Sequence, residues 1–332
     1  MKVLVSGGGG FLGRYIVQKL LQRGDKVHSI GRTPQPELSA MGVEVFTGCI
    51  TDRAAVRDAA TGCDAIIHVA AKAGVWGSWD SFYQPNVIGT RCILQVCQQL
   101  GIQRLVYTST PSVVFTGEAF AGADESLPYG KNWLCHYAHT KSIAESEVLA
   151  ANDMQNLRTV ALRPHLIWGV GDNHLIPRII HRARTGRLRK VGNGTNLVDI
   201  THVNNAAQAH LQALDALDTN SAVCGKAYFI SQGTPVNLWE WVETLLERLQ
   251  IPPIRKSISA TSAYRLGNML EKIYSFLRIA SEPPMTRFIA VELAKSHWFN
   301  ISAAKRDLNY TIETSTAAGL DEFIRHYKLN RK

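Results

Sequence analysis

The chain has 332 residues, enough for one large domain or two modest ones, and its 45% hydrophobic and 19% charged residues exclude disordered and collagen-like proteins. The net charge of +9 would suit nucleic acid, an anionic membrane surface or anionic small ligands. The densest basic run, residues 178–190, has no interleaved aromatic residues, which argues against single-strand binding and favours a solvated helix face. We therefore expect no nucleic-acid partner.

Strands and helices alternate through the first half of the chain. Residues 2–6 predict a strand, the following glycines a loop, and residues 14–24 a helix with apolar residues at helical spacing. This alternation predicts an α/β fold, with a parallel sheet covered by helices on both faces. Further strands are predicted at residues 26–30, 43–48, 64–71, 104–110 and 158–164, and further helices at residues 53–62 and 86–101.

The pattern changes after residue 164, where Pro and Gly become more frequent and the periodicity less regular. We place a domain boundary near residue 165. It separates residues 1–165 from a smaller substrate-side region, residues 166–332, and some later segments are expected to return to the first domain. Beyond the boundary a strand is predicted near residue 227, and helices are predicted at residues 238–250 and 264–280.

The cysteines and the first apolar run indicate in which cellular compartment the protein is expected. The six cysteines are scattered without a C-x-x-C pair, so we expect neither a metal site nor a thioredoxin-like motif. The first apolar run has only a strand's length before it meets glycines, too short for a secretory signal or a membrane span. We expect a cytoplasmic protein with reduced thiols.

A glycine-rich loop follows the first strand. Gly7, Gly10 and Gly13 have the spacing G-x-x-G-x-x-G, directly after a strand and at the start of a helix. The first glycine permits a tight turn, the next lets backbone amides approach a pyrophosphate, and the helix N-terminus adds N–H donors and a positive dipole end. This context favours a dinucleotide-binding loop over a plain glycine-rich turn.

The end of the second strand bears on which dinucleotide is bound. An acidic residue about 20 residues past the loop would hydrogen-bond the ribose 2′-hydroxyl of NAD. Here the strand instead ends in Gly31 and Arg32. Because a guanidinium pairs with the 2′-phosphate of NADP through charge-assisted bonds, we predict NADP(H). The alternative is an arginine that caps a surface turn.

Tyr137 and Lys141 are four residues apart and would share one helix face. A free phenol has a pKa of about 10, which a nearby ammonium and an oxidised nicotinamide would lower, so that Tyr137 could exchange a proton with a carbonyl or alcohol. The pair alone is a weak signal, because it arises by chance in many helices. Together with the glycine loop and the hydroxyl-rich residues 107–112, it predicts a dehydrogenase or reductase site.

These motifs together resemble the extended short-chain dehydrogenases/reductases, and specifically their 3β-hydroxysteroid dehydrogenase-like branch. The similarity runs nearly end to end, through SGGGGFLG, HVAAKAGVWG, NVIGT, YTSTPSVVF, YAHTK, LRPHLIWGVGD, VDITHVNNAAQAH and EPPMTRF. It implies a doubly wound parallel Rossmann sheet with a smaller C-terminal substrate-binding region. It also implies the NADPH-dependent reduction of a 2-alkyl-3-oxoalkanoic acid to the 3-hydroxy acid, as in long-chain olefin biosynthesis.

The resemblance also implies roles for individual residues. Thr110, the neighbour of Ser109, would hydrogen-bond the reacting oxygen. Tyr137 would donate the proton, Lys141 would tune it, and Asn86 would support the catalytic groups. The residues expected at the cofactor are Gly7, Gly10, Phe11, Leu12, Gly13, Arg32, Ile50, Ala70, Ala71, Tyr137, Lys141 and Pro164, and Ile50 would meet the adenine because Cys49 stands where relatives usually have an aspartate.

The expected partners are a long-chain acyl substrate and a second copy of the chain, and we also consider a peripheral membrane contact and enzymes of the same pathway. Arg163 and Asp172 flank a strand exit beside the basic run, which suggests an anionic acyl group there. The apolar stripe of residues 264–280 predicts either a helix packed on the core or a lid over an apolar channel. Four histidines are interpreted singly as packing or surface residues, namely His136, His139, His165 and His202.

Other functions stay open at this point. A 3β-hydroxysteroid or sterol-carboxylate dehydrogenase would use the same residues with NAD(P). A sugar-nucleotide epimerase shares the loop and the Tyr-Lys pair but retains its NAD. A nucleotide-sensing module without activity is disfavoured, because Thr110, Tyr137 and Lys141 are all present.

Overall fold

The computed structural model describes residues 1–329. In chain order the strands are β1 (Lys2–Ser6), β2 (Lys26–Gly31), β3 (Glu44–Thr47), β4 (Ala65–His68), β5 (Arg104–Thr108), β6 (Phe120–Ala123), β7 (Arg158–Pro164), β8 (Ile167–Trp168), β9 (Lys190–Val191), β10 (Leu197–Val198), β11 (Thr201–His202), β12 (Lys226–Ile230), β13 (Val236–Asn237), β14 (Ser257–Ile258) and β15 (His297–Phe299). The α-helices are α1 (Phe11–Gln22), α2 (Pro36–Ala40), α3 (Arg53–Ala60), α4 (Trp79–Tyr83), α5 (Gly89–Leu100), α6 (His136–Ala150), α7 (Leu175–Arg184), α8 (Val203–Thr219), α9 (Leu238–Arg248), α10 (Ala260–Phe276), α11 (Arg287–Ala294), α12 (Ser302–Asp307) and α13 (Thr316–Leu329).

One sheet of seven strands organises the molecule, in the order β12-β7-β5-β4-β1-β2-β3. All of its neighbouring strands are parallel. The chain runs outward from β1 to β3 and then crosses to β4 on the other side of β1, so the strand order reverses at β1 and β4. This arrangement confirms the predicted doubly wound α/β fold of Rossmann type, in which ligands bind at the carboxyl ends of the strands beside the reversal.

Residues of the central strands alternate between the two faces of the sheet. Val3 and Val5 pack with α1 and α8, whereas Leu4, between them, packs with α3, α5 and α6. A strand buried on both faces needs apolar residues at successive positions, which is why β1 is a continuous apolar run. Two elements from beyond residue 165 also belong to this layer: β12 is an edge strand of the sheet, and α8 packs on it.

The remaining C-terminal elements have an apolar core of their own. It is built around Trp168, Trp239, Trp241 and Leu245, with contributions from α7, α9 and α13. Short two-residue strands pair its loops with one another, as β9 does with β14.

The predicted helix at residues 264–280 is α10, which begins and ends four residues earlier. Ser259 caps its start by accepting the N–H of Ser262, and Arg278 leaves the helical conformation with φ at 52°. The apolar stripe is largely exposed, with Phe276 at 86% and Leu277 at 59% exposure. The interpretation as a helix whose stripe packs on the core is therefore wrong. Within residues 1–329, every helix is too short or too polar to cross a membrane.

Candidate active site

The glycine loop lies between β1 and α1 and brings backbone segments into close contact. Gly7 has φ at +74°, and a Cβ there would lie 3.0 Å from Ala70 Cα. At Gly13 a Cβ would lie 2.2 Å from the carbonyl oxygen of Gly7, so no side chain fits. Gly10 donates its N–H to Gly7 O at 2.9 Å and directly precedes α1. The loop therefore leaves the N-terminus of α1 open to an anionic ligand.

The residues expected at the cofactor lie along one edge of the sheet, at the carboxyl ends of β1–β5 and β7, which we call the cofactor edge. Gly7, Gly10, Phe11, Leu12 and Gly13 follow β1, Arg32 follows β2, Ile50 follows β3, Ala70 and Ala71 follow β4, Thr110 follows β5, and Pro164 ends β7. Tyr137 and Lys141 reach it from α6. The fold thus brings together residues that are spread over more than 150 positions of the sequence.

Buried polar groups fix the backbone beneath this edge. Ser6 Oγ accepts the N–H groups of residues 69 and 70, at 3.1 and 3.2 Å, and donates to His68 Nδ1 at 2.6 Å. His68 Nε2 bonds Thr90 Oγ1 at 3.0 Å. Burial, with a smaller effect of nearby positive charge, lowers the pKa of His68 to about 3, so the ring is neutral. This network holds the loop after β4 against β1.

Asn86 holds the same loop from the other side. Its Oδ1 accepts the N–H of Lys72 at 2.8 Å, and its Nδ2 donates to Lys72 O and to Thr140 Oγ1, both at 3.1 Å. None of its hydrogen bonds within residues 1–329 goes to Tyr137 or Lys141. The geometry gives Asn86 a positioning function, and the catalytic function inferred from the resemblance stays a prediction.

Tyr137 lies in the first turn of α6, close to the hydroxyl of Thr110. Burial raises the pKa of Tyr137 to about 12, and the nearby Thr110 hydroxyl opposes this shift. The sequence had suggested a lowered pKa. Burial outweighs the other effects here, since Lys141 Nζ is directed elsewhere. Tyr137 is therefore a protonated phenol, suited to donating a proton.

Lys141 lies one turn along α6 and is 2% exposed. Its Nζ donates to Thr108 O at 2.6 Å and sits 4.1 Å above the centre of the Tyr107 ring. Burial lowers the pKa of this ammonium to about 7, although Glu145 opposes the shift. A lysine with a pKa near neutral can gain a proton when negative charge develops beside it.

Arg32 is exposed in the loop after β2, and in the described part of the chain its guanidinium makes no hydrogen bond or ion pair. This loop folds back on the glycine loop. Gln35 accepts the Ser29 hydroxyl at 2.8 Å, and a Cβ on Gly9 would lie 3.0 Å from Gln35. Arg14 donates to Gly9 O at 3.0 Å, which places a second guanidinium on the same rim.

Near the end of β3, Cys49 Sγ lies 3.0 Å from Thr51 Oγ1, and Ile50 is 7% exposed. Ile50 packs against Gly89, where an added Cβ would come within 2.6 Å of it. Because the Ile50 side chain is buried, only the backbone of this residue could hydrogen-bond a ligand. All six cysteines are free thiols.

Arg163 and Asp172, considered above for an anionic group, have structural partners instead. Arg163 is 4% exposed and forms an ion pair with the fully buried Glu145, at 2.5 Å. The Asp172 carboxylate accepts three backbone N–H groups at the start of α7, those of His174, Leu175 and Ile176. Arg163 is therefore not free to bind an anionic group, and the expectation of an anionic acyl group near the basic run of residues 178–190 stays a prediction.

A cavity of about 1110 Å³ opens beside the start of α6. One wall is formed by Cys135 and His136, which flank Tyr137, together with Trp76 and Trp133. The other wall is formed by α10 and the residues after it. Trp76 Nε1 donates to Ile279 O at 3.2 Å, which ties the two walls together. The volume exceeds that of most small-ligand sites, and polar as well as aromatic residues line it.

One pair of residues escaped the sequence reasoning altogether. His165, considered singly, meets His297 from β15, with the two rings 4.8 Å apart and hydrogen-bonded. The two are separated by 132 positions, and no spacing pattern connects them.

Comparison with known proteins shows the family to which the chain is similar. The sequence pattern of the 3-beta hydroxysteroid dehydrogenase/isomerase family matches residues 4–259. The 2-alkyl-3-oxoalkanoate reductase of Stenotrophomonas maltophilia is 49% identical over 323 residues, covering 96% of this chain and 97% of that protein. The protein of the same name from Shewanella oneidensis is 45% identical over 323 residues, covering 95% of this chain and 84% of that protein.

More distant relatives have other substrates in their names. The mouse sterol-4-alpha-carboxylate 3-dehydrogenase (decarboxylating) is 32% identical over 318 residues, covering 93% of this chain and 86% of that protein. Among solved structures, MoeE5 in complex with UDP-glucose and NAD has a TM-score of 0.75 at 24% identity, with both chains fully covered. A dTDP-glucose 4,6-dehydratase from Streptomyces venezuelae has a TM-score of 0.77 at 23% identity, covering 100% of this chain and 98% of its own. At such identity the solved structures show a shared fold.

Proposed function

Because the chain belongs to the 3-beta hydroxysteroid dehydrogenase/isomerase family of oxidoreductases, we propose that it reduces a 2-alkyl-3-oxoalkanoic acid to the 2-alkyl-3-hydroxyalkanoic acid with NADPH. The observation that carries this proposal is identity of 49% and 45%, over nearly the whole chain, to two proteins named 2-alkyl-3-oxoalkanoate reductase. The cavity beside the start of α6 supports it, since it has room for long alkyl chains.

The glycine loop between β1 and α1 fits a dinucleotide. Gly7 and Gly13 stand where any Cβ would collide with backbone, and the N-terminus of α1 opens toward the space they leave. Backbone N–H groups there would hold the pyrophosphate, and Arg32, with its guanidinium unengaged in residues 1–329, would pair with a 2′-phosphate. The nicotinamide of a bound NADPH supplies the hydride.

Tyr137 and Thr110 would then hydrogen-bond the carbonyl oxygen of the substrate. The hydroxyls of Thr110 and Tyr137 are neighbours, so a carbonyl oxygen placed between them would accept a hydrogen bond from each. As negative charge develops on that oxygen, the Tyr137 hydroxyl donates its proton to it. Lys141, one turn along α6, would stabilise the phenolate that remains once its Nζ turns from Thr108 O toward Tyr137.

The proposal is tested by kcat/KM across synthetic 2-alkyl-3-oxo acids of increasing length, with a 3-ketosteroid in parallel. Each buried methylene is worth about 0.8 kcal/mol, so binding should tighten severalfold per carbon until the channel is full. A flat profile would reject the long-acyl substrate. A clear preference for the steroid would instead assign the sterol dehydrogenase activity named for the 32% identical relative.

We further propose that α10 is a lid whose outer face contacts a membrane surface. Met269, Ile273, Phe276 and Leu277 are all exposed on this face. Arg265, Lys272 and Arg278 are exposed on and just after the same helix. A helix with an apolar face bordered by basic residues suits the interface of an anionic bilayer. Asn268, Glu271 and Ser275 on the other side of α10 line the cavity, and Phe276 lies at its rim, so an acyl substrate would enter from the lipid.

Sedimentation with phosphatidylglycerol vesicles tests this contact. The double variant Phe276→Ser and Leu277→Ser should lose most of the binding, while Met154→Ser, which alters an equally exposed apolar residue elsewhere, should retain it. Equal vesicle binding by all three proteins would contradict the membrane contact.

A homodimer through α5 and α6 is also proposed, and light scattering of the purified protein tests it.

A further inference from the structure

The cavity between the start of α6 and α10 carries an excess of positive charge. Four cationic side chains line it, namely Lys72, Lys272, Arg278 and Arg287. Glu271 is the single carboxylate among its lining residues within residues 1–329, and it forms an ion pair with Arg287 at 2.7 Å. The other three cations are left to attract an anionic ligand.

Lys72 differs from the other unpaired cations in how its ammonium is held. Lys272 and Arg278 are exposed on and just after α10, whereas Lys72 is half-buried in the loop after β4. Its Nζ donates to Ser81 Oγ at 2.8 Å and lies 4.6 Å from the centre of the Phe82 ring. A hydroxyl and an aromatic ring position the ammonium without neutralising it, and in the described part of the chain it forms no ion pair.

Hydrogen bonds fix the backbone of Lys72 relative to that of Tyr137. The N–H and the carbonyl group of Lys72 both bond the Asn86 side chain, at 2.8 and 3.1 Å. Asn86 Nδ2 also donates to Thr140 Oγ1, which lies 3.1 Å from the carbonyl oxygen of Tyr137. The loop after β4 and the first turn of α6 are therefore held together by the positioning residue Asn86.

Both of these segments face the same cavity. Lys72 and Val75 line it from the loop after β4, and Cys135 and His136 line it from the start of α6. Val75 and Tyr137 also pack against one small apolar cluster that includes Cys135. The ammonium of Lys72 is thus the cation on the wall next to Tyr137, whereas the other unpaired cations belong to the opposite wall, formed by α10 and the residues after it.

The proposed substrate has its charge close to its reacting group. In a 2-alkyl-3-oxo acid, a single carbon separates the carboxylate from the ketone. When the ketone oxygen lies at Tyr137, the carboxylate therefore lies on the same wall of the cavity, and the alkyl chains extend away from it. A lysine ammonium pairs with a carboxylate through charge-assisted hydrogen bonds.

We propose that Lys72 binds the carboxylate of the substrate and thereby selects 3-oxo acids over uncharged ketones, an inference that rests on the reductase activity proposed above. Asn86 positions the backbone of Lys72, while Ser81 and Phe82 orient its side chain. An uncharged ketone would leave the half-buried ammonium without a carboxylate, which lowers the affinity of the site for it.

Steady-state kinetics of Lys72→Met on a matched pair of substrates test this inference. For a 2-alkyl-3-oxo acid, kcat/KM should fall about tenfold or more, because a charge-assisted bond is lost. For the methyl ester of the same acid it should stay within about twofold, which also shows that the variant is folded. Lys131→Met is the matched control, because Lys131 is exposed and lies outside the cavity lining, and it should change neither value.

Two kinetic results would overturn the inference. Equal losses on the acid and the ester, with a raised KM for NADPH, would place Lys72 at the cofactor instead. Equal losses from Lys72→Met and Lys131→Met would show that the overall charge of the protein, and not a contact with Lys72, attracts the acid.

Binding without turnover separates this inference from the proposed reductase activity. We expect the protein saturated with NADP⁺ to bind 2-butyloctanoic acid about tenfold more tightly than 2-butyloctanol in calorimetry, and Lys72→Met to remove that difference while it still binds the alcohol. Equal affinities of the unchanged protein for acid and alcohol would overturn the inference even if the reductase activity is found. A preference for the acid that depends on Lys72 would support it even if another ketone proves to be the substrate.

Discussion

The cofactor edge and the outer face of α10 differ in how their side chains are satisfied. At the cofactor edge, Ser6, His68 and Asn86 are buried and fully engaged in hydrogen bonds. On α10, large apolar residues such as Phe276 face outward. The first region is preorganised by its own contacts, whereas the second has an apolar face that nothing within residues 1–329 covers. Substitutions should therefore have large effects at the cofactor edge and small effects on stability at the outer face of α10.

The largest effect is expected from Tyr137→Phe, which removes the acidic hydroxyl but little volume. Turnover should fall about a hundredfold or more, while cofactor affinity changes much less. Activity and cofactor binding are measured in parallel, with Tyr83→Phe on α4, whose hydroxyl accepts a hydrogen bond from Arg91, as the control. Retention of half the activity would show that Tyr137 is not the proton donor.

Thr110→Ala should cost about tenfold or more in kcat/KM, because the substrate oxygen loses one of two donors. Ser109→Ala should cost less than about twofold, since its buried hydroxyl has no hydrogen-bond partner within residues 1–329. The two kcat/KM values distinguish the adjacent hydroxyls. A larger loss from Ser109→Ala would transfer the function of Thr110 to Ser109.

Arg32→Ala should raise the KM for NADPH by at least about tenfold, roughly 1.4 kcal/mol, and hardly change that for NADH. Only NADPH has the phosphate that the guanidinium would pair with. Arg57→Ala, at an exposed arginine of α3, serves as the control. Equal losses with both cofactors would indicate a structural function for Arg32.

The pH dependence of stability should report on Lys141. Its folded-state pKa of about 7 lies below the usual 10.5, so between these values the unfolded chain holds a proton that the folded protein has released. The free energy of unfolding should therefore rise with pH across this window, by up to about 1.4 kcal/mol per pH unit. Urea unfolding at several pH values measures it. Lys141→Met should flatten this rise, and Lys19→Met should not.

The smallest effect is expected on the outer face of α10. Phe276→Ser should change the free energy of unfolding by no more than about 0.5 kcal/mol, because the side chain is 86% exposed. Leu245→Ala, in the buried core of the C-terminal region, should cost about 2 to 5 kcal/mol. A comparable loss in both variants would show that the stripe is buried in solution.

The amino-acid sequence by itself determined the features that depend on near neighbours in the chain. The apolar run of β1 predicted a doubly buried strand, because both of its faces need apolar residues. The spacing of Gly7 and Gly13 predicted the loop, since the turn tolerates no side chain at either position. Tyr137 and Lys141 were recognised as one unit because one helical turn separates them.

Only the tertiary structure decided what depends on distant segments. Helical periodicity is the same whether a stripe faces a core or solvent, so the exposure of Phe276 and Leu277 could not be read from it. Arg163 looked free until the fold placed Glu145 against it, and the phenol of Tyr137 looked acidic until its burial was known. The meeting of His165 and His297 has no local signal, because hydrogen bonding and desolvation depend on distances in space that the fold alone sets.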